Sequence, residues 1–111
     1  MDTPTILGLD PGVNHTGWAI LQPDETLAAS GTLIPKGSLR GLDRQLWLVS
    51  KIQDLIQAWQ PGLLAMEDFT WKEGREGEEY ILGRPAMERL LGGIEVLTLF
   101  PPYPALIELL P

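Results

Sequence analysis

The sequence predicts an α/β domain built on a mixed sheet, and three observations carry that prediction. Short apolar runs bounded by Gly and Pro fill the first third of the chain. A helical apolar period follows over about residues 39–59. Beyond it, strand-like and helix-like stretches alternate, giving the order β-β-β-α-β-α-β. At 111 residues there is room for one domain over 1–111 with its own core.

Thr5 to Leu9 is apolar throughout, as expected of a strand covered on both faces. Asp10 stands at its end, and Pro11-Gly12 stops it, since Pro removes a ladder donor and Gly permits positive φ. Trp18 to Leu21 is the returning strand. Gln22 to Thr26 has turn composition, and Leu27 to Ile34 fits a third strand with a bulge at Gly31. Tight turns between the three imply an antiparallel meander.

Pro35 to Ser38 reads as a loop. From about Leu39 to Trp59, apolar residues fall at Leu42, Leu46, Val49, Ile52, Leu55, Ile56 and Trp59, which predicts a helix with these on one face. Pro61-Gly62 ends it. Leu63 to Met66 is too short for a helix and predicts a buried strand with Glu67 at its carboxyl end. A strand that follows a crossover helix should lie parallel to an earlier one. Asp68 to Glu78 is polar and Gly-rich, and reads as a loop. Glu79 to Leu91 predicts a second helix in which Pro85 makes a kink, or a helix beginning near Gly83 or Arg84 with Pro85 in its first turn, closed by Gly92-Gly93. Ile94 to Phe100 alternates and predicts the fifth strand, and Ala105 to Leu110 a short helical turn.

Composition narrows the chemistry. With no Cys and a single His, thiolate and histidine-rich metal sites are excluded, which leaves oxygen ligands and so magnesium or manganese. A formal charge of −7 argues against indiscriminate nucleic-acid binding, though not against a local basic patch. No apolar stretch reaches membrane-span length and the N-terminus has no basic region before an apolar run, so a cytoplasmic location is expected.

Asp10 and Glu67 each end an apolar strand. If those strands are parallel neighbours, the two ends lie ~5 Å apart. Two carboxylates that close repel unless a proton or a cation intervenes. A pair of divalent ions ~4 Å apart on such ligands suits in-line attack on a phosphodiester. The alternative for Asp10 is a turn aspartate capping local backbone groups, and for Glu67 a solvated strand end. Lys36, Arg40, Arg44 and Lys51 recur at near-helical spacing around the first helix. Lys72 and Arg75 follow Glu67, and Arg84 and Arg89 stand in the second helix. Such a stripe can position a duplex through its phosphates; the alternative is a set of solubilising charges. His15, in the opening turn, can carry a proton or have no role. Trp18 and Trp59 read as core or interface residues. Trp47 lies off the apolar stripe and is a candidate dimer contact.

Leu7-Gly8-Leu9-Asp10-Pro11-Gly12 with Thr16-Gly17-Trp18, and then Ala65-Met66-Glu67-Asp68-Phe69, form two acidic motifs. Leu82-Gly83-Arg84 and Phe100-Pro101-Pro102 follow in order. In these motifs the sequence resembles the RuvC-type Holliday junction resolvases of the RNase H-like superfamily, over nearly its whole length. The resemblance implies an RNase H-like five-stranded mixed sheet, three antiparallel strands followed by parallel ones, flanked by helices, with the first and fourth strands adjacent. It implies a homodimer that binds four-way DNA junctions and nicks them with Mg2+ or Mn2+, with Asp10 and Glu67 as catalytic metal ligands. It also implies an aromatic wedge after the second acid. Phe69 or Trp71 stands near that place, neither at the usual offset.

The sequence departs from the family at its C-terminus. The family completes its site with acids on a last helix. Here no Asp follows Asp68, and Glu108 is the only late acid. The domain is therefore expected to be incomplete at that end. A non-cleaving junction-binding or scaffold protein on the same fold is the second reading. A nucleotide-binding relative of sugar kinases and actin is a third, and it lacks the second Gly-rich phosphate motif.

Overall fold

The computed structural model describes residues 3–67, 77–99 and 106–110. Strand β1 (Ile6–Asp10) returns antiparallel as β2 (Thr16–Leu21), and β3 (Leu27–Leu33) pairs antiparallel with β2. Helix α1 (Leu42–Trp59) crosses over to β4 (Leu63–Glu67), which lies parallel beside β1. Helix α2 (Gly77–Leu97) leads to β5 (Leu106–Leu110), parallel to β4. The sheet order is β3-β2-β1-β4-β5. The turn from α1 into β4 uses Gln60 in the left-handed region, its N–H donating to the Ile56 carbonyl, and Gly62 N–H then donates to Thr5 O at 2.9 Å.

Strand parity divides the sheet. Leu7, Leu9, Ile20, Leu64 and Met66 are buried, and they pack with Leu48, Ile52 and Ile56 of α1 and Met87, Leu90 and Ile94 of α2. Both helices therefore contribute to the core on one sheet face. Burying each of these side chains contributes about 1.5–3 kcal/mol, which makes this layer the main source of stability. Ile6, Gly8 and Asp10 take the alternate positions on β1.

The first four strands and the first helix lie where the sequence predicts them, with no end shifted by more than three residues. The last third differs. Ile94 to Leu97 is not strand but the last turn of α2, closed by a Thr98-Leu99 turn. The sheet's outer parallel strand is instead Leu106–Leu110, where a helical turn was expected. Gly92-Gly93 does not cap the helix. Gly93 lies inside it, where a Cβ would stand 2.7 Å from Val49 Cγ2, so the glycine lets α2 approach α1. Ile94 is fully buried, and that packing outweighs the β-propensity of its neighbours.

Three smaller expectations are also corrected. Leu42 and Leu46 are exposed, because the buried stripe of α1 runs through Gln45, Leu48, Ile52 and Ile56. The sheet irregularity sits at Ile20/Leu21 rather than at Gly31. Gly31 instead makes room for the Trp18 indole, whose Nε1 a Cβ there would approach to 3.0 Å.

Candidate functional site

The site begins as a turn that must be tight. Asp10 pairs with Gly17 across the β1–β2 ladder, leaving six residues to reverse the chain. Two features hold them. A Cβ on Gly12 would overlap the His15 carbonyl oxygen, so the close approach of these two residues requires glycine. Thr16, fully buried, accepts from Gly12 N–H at 3.2 Å through its Oγ1 and donates the same hydroxyl to Gly12 O at 3.0 Å. One side chain thus satisfies both backbone groups of Gly12, and the turn needs no water to close it.

This latch presents Asp10 to solvent. The residue is exposed, and its carboxylate has no hydrogen-bond or ion-pair partner among the described residues. Asp10 to His15 line a depression of about 180 Å3, in which Asn14 and His15 are also exposed. On the sheet face away from the helices, Asp10 borders a second, apolar depression of about 450 Å3. Ile6, Gly8, Ala19 and Ala65 lie along it.

Glu67 is the last residue of β4. The pair Leu9↔Met66 is in register between β1 and β4, so Asp10 and Glu67 each stand one residue beyond matched positions on adjacent parallel strands. The two acids therefore occupy neighbouring strand ends at the carboxyl edge of the sheet. That edge is where open α/β sheets carry ligands. Across β4, the Glu67 backbone is in register with Leu110 of β5.

The predicted basic residues divide. Lys36 and Arg40 are exposed in the segment between β3 and α1. Arg44 is half-buried in the first turn of α1, and its Nη1 donates to Asn14 Oδ1 at 3.3 Å, which ties the helix to the Asp10 turn. Lys51 sits 3.9 Å from Asp54 and 5.7 Å from the Trp47 ring centroid, an exposed local arrangement of small energetic weight. Trp47 itself is half-buried against the core. Arg89 is exposed on α2. Arg84 lies within α2, and its side chain falls outside the described residues. Phe69, Trp71, Lys72, Arg75 and the Phe100-Pro101-Pro102 segment also fall outside them.

Two contributors escaped the sequence reading. Thr16 was visible only as part of a motif, and its closing role depends on the turn geometry. The Asn14–Arg44 contact joins residues 30 apart and leaves no periodic signal. Among the described residues no three His, Cys, Asp or Glu side chains cluster as a metal site.

Comparison with known proteins follows the same lines. No family model matches the chain. The crossover junction endodeoxyribonuclease RuvC of Wolbachia sp. subsp. Brugia malayi is 36% identical over 67 residues, covering 56% of this chain and 41% of that protein. RuvC of Synechococcus sp. (strain CC9902) is 26% identical over 101 residues, covering 87% and 66%. Among solved structures, T. thermophilus RuvC in complex with a Holliday junction substrate superposes with a TM-score of 0.74 at 13% identity, over 96% of this chain and 63% of that one. The yeast mitochondrial Holliday junction resolvase gives 0.55 at 16% identity, covering 96% of this chain and 50% of that one. The chain thus spans less than two thirds of the length of these relatives.

Proposed function

We propose, for a chain that resembles RuvC endodeoxyribonucleases in sequence and in fold, that it is the single RNase H-like domain of a structure-selective endodeoxyribonuclease resolving four-way DNA junctions. The observation that carries this reading is the shared strand-end position of Asp10 and Glu67, one residue beyond the Leu9↔Met66 pair. The donor set fits a hard divalent cation. It is all oxygen, and Asp10 is exposed with no competing partner among the described residues.

Asp10 and Glu67 would hold Mg2+ or Mn2+, whose chemistry is Lewis-acid stabilisation of phosphate charge and a lowered pKa for water. The chain's own contribution is geometric. The Thr16 latch fixes the backbone on which Asp10 stands, so the carboxylate is positioned before substrate arrives. Lys36, Arg40 and Arg44, with Lys72, Arg75 and Arg84, are the phosphate contacts of this reading, and Phe69 or Trp71 its aromatic wedge. They recognise the junction by shape, since phosphate contacts carry no sequence information. The active form in this reading is a homodimer acting in the cytoplasm, and no described helix is long and apolar enough to cross a membrane.

The second reading, a junction-binding protein on the same fold that does not cut, draws on the sequence, in which no Asp follows Asp68. Cleavage of a synthetic four-way junction by the full-length protein in Mn2+, with Asp10→Asn as control, separates the two. Cutting lost in the variant supports the nuclease. Binding without cutting supports the second reading.

A further inference from the structure

Arg44 differs from the other basic residues near it. Lys36 and Arg40 are exposed, whereas Arg44 is half-buried and reaches from the first turn of α1 to the Asp10 turn. Its Nη1 donates to Asn14 Oδ1 at 3.3 Å. Its Nε is buried and has no acceptor among the described residues. A buried N–H left without an acceptor is uncommon, because it forfeits its hydration with no return.

The partner matters as much as the bond. Asn14 is neutral, so it orients the guanidinium without cancelling its charge, as a carboxylate in its place would. A guanidinium carries five donors in a planar fork that matches two oxygens of one phosphate. Asn14 accepts from Nη1 and burial closes Nε to solvent, so a phosphate would meet the terminal Nη nitrogens. Asn14 is also exposed, and it lines the same small depression as Asp10. On a chain of formal charge −7, an oriented cation at that rim is a local exception to the overall repulsion of DNA.

The geometry points to Arg44 as the side chain that grips a backbone phosphodiester at the rim of the Asp10 turn, with Asn14 the positioning residue that aims it. This deepens, and rests on, the reading of the chain as a nuclease domain. Arg44 contributes charge and direction together, whereas Asn14 contributes direction alone.

The test uses the full-length protein and a synthetic four-way junction. Binding is measured against salt without divalent metal, and single-turnover cleavage is measured in Mn2+. Arg44→Gln weakens binding several-fold and lowers the salt slope by about one. Arg44→Lys recovers the slope but still cuts about tenfold more slowly, because an ammonium lacks the fork. Asn14→Ala keeps the slope and cuts about tenfold more slowly, a loss of aim without loss of charge. An unchanged slope in Arg44→Gln, or a wild-type cleavage rate in Asn14→Ala, overturns the assignment. If the wild type binds without cutting and Arg44→Gln still loses slope, the nuclease reading fails while the phosphate grip stands. If the wild type does not bind the junction, both fall.

Discussion

Gly93 of α2 lies directly against Val49 of α1, close enough that a Cβ at Gly93 would stand 2.7 Å from Val49 Cγ2. The two helices make close contact at this point. Both pack on the sheet face behind β1 and β4, the adjacent strands whose ends carry Asp10 and Glu67.

Gly93→Ala should therefore destabilise the protein despite alanine's better helix propensity. Overpacking of this kind costs about 1–3 kcal/mol. Gly92→Ala, with nothing within 4 Å of its Cβ position, should be neutral or stabilising. Urea denaturation of the two variants checks the contrast.

Thr16→Val keeps the shape of the buried side chain but removes both bonds to Gly12. The expected loss is about 1–3 kcal/mol, the cost of leaving buried polar groups unpaired. Thermal unfolding measures it. If the nuclease reading holds, junction cleavage by the variant should also fall at a temperature where it is still folded, because the turn bearing Asp10 has lost its closure.

The β2–β3 turn gives a prediction in pH. Asp24 accepts from the Thr26 hydroxyl and from the Thr26 backbone N–H, and these bonds, the hydroxyl first, hold its carboxyl below the ordinary value of 3.8. A depressed folded-state pKa means that the turn's contribution is complete above 3.8 and is lost as the pH falls through the lower folded value. A carboxyl-carbon NMR titration should place the Asp24 midpoint below 3.8, and Thr26→Val should move it back up.

Leu90 of α2 is fully buried in the core shared by the sheet and both helices. Leu90→Ala should cost about 2–5 kcal/mol through lost transfer energy and a residual cavity. Leu46→Ala, at a residue the sequence reading assigned to the buried face, should cost far less, since Leu46 is 56% exposed. Denaturation midpoints of the pair test whether the stripe on α1 is correctly identified.

Much of the fold was legible because local and global signals agree. Pro11-Gly12 can only interrupt a strand, the residues of α1 repeat with a helical period, and Leu63 to Met66 is too short to be anything but a strand. The misreading of residues 94–110 has one cause. Ile94-Glu95-Val96-Leu97 has a strand's composition, and it is held as helix with Ile94 fully buried in the core and Gly93 against Val49 of α1, packing that no local window contains. A strand at 94–97 would occupy the sheet edge beside β4, which Leu106–Leu110 fills instead. Leu42 and Leu46 were misassigned because a 100°-wide stripe can be drawn through either side of an apolar helix edge. The strand-end positions of Asp10 and Glu67 were legible because each residue directly ends an apolar run. The Arg44–Asn14 contact was not, since it depends on where α1 starts relative to the turn.

The central claim is that Asp10 and Glu67, at neighbouring strand ends, act together on a phosphodiester. The most direct measurement is cleavage of a four-way junction by the full-length protein in Mn2+, alongside Asp10→Asn and Glu67→Gln, with junction binding followed in parallel. The account predicts that the wild type cuts and that either substitution alone abolishes cutting while binding persists. Undiminished cutting by either variant, or junction binding by the wild type with no cutting at all, would contradict it.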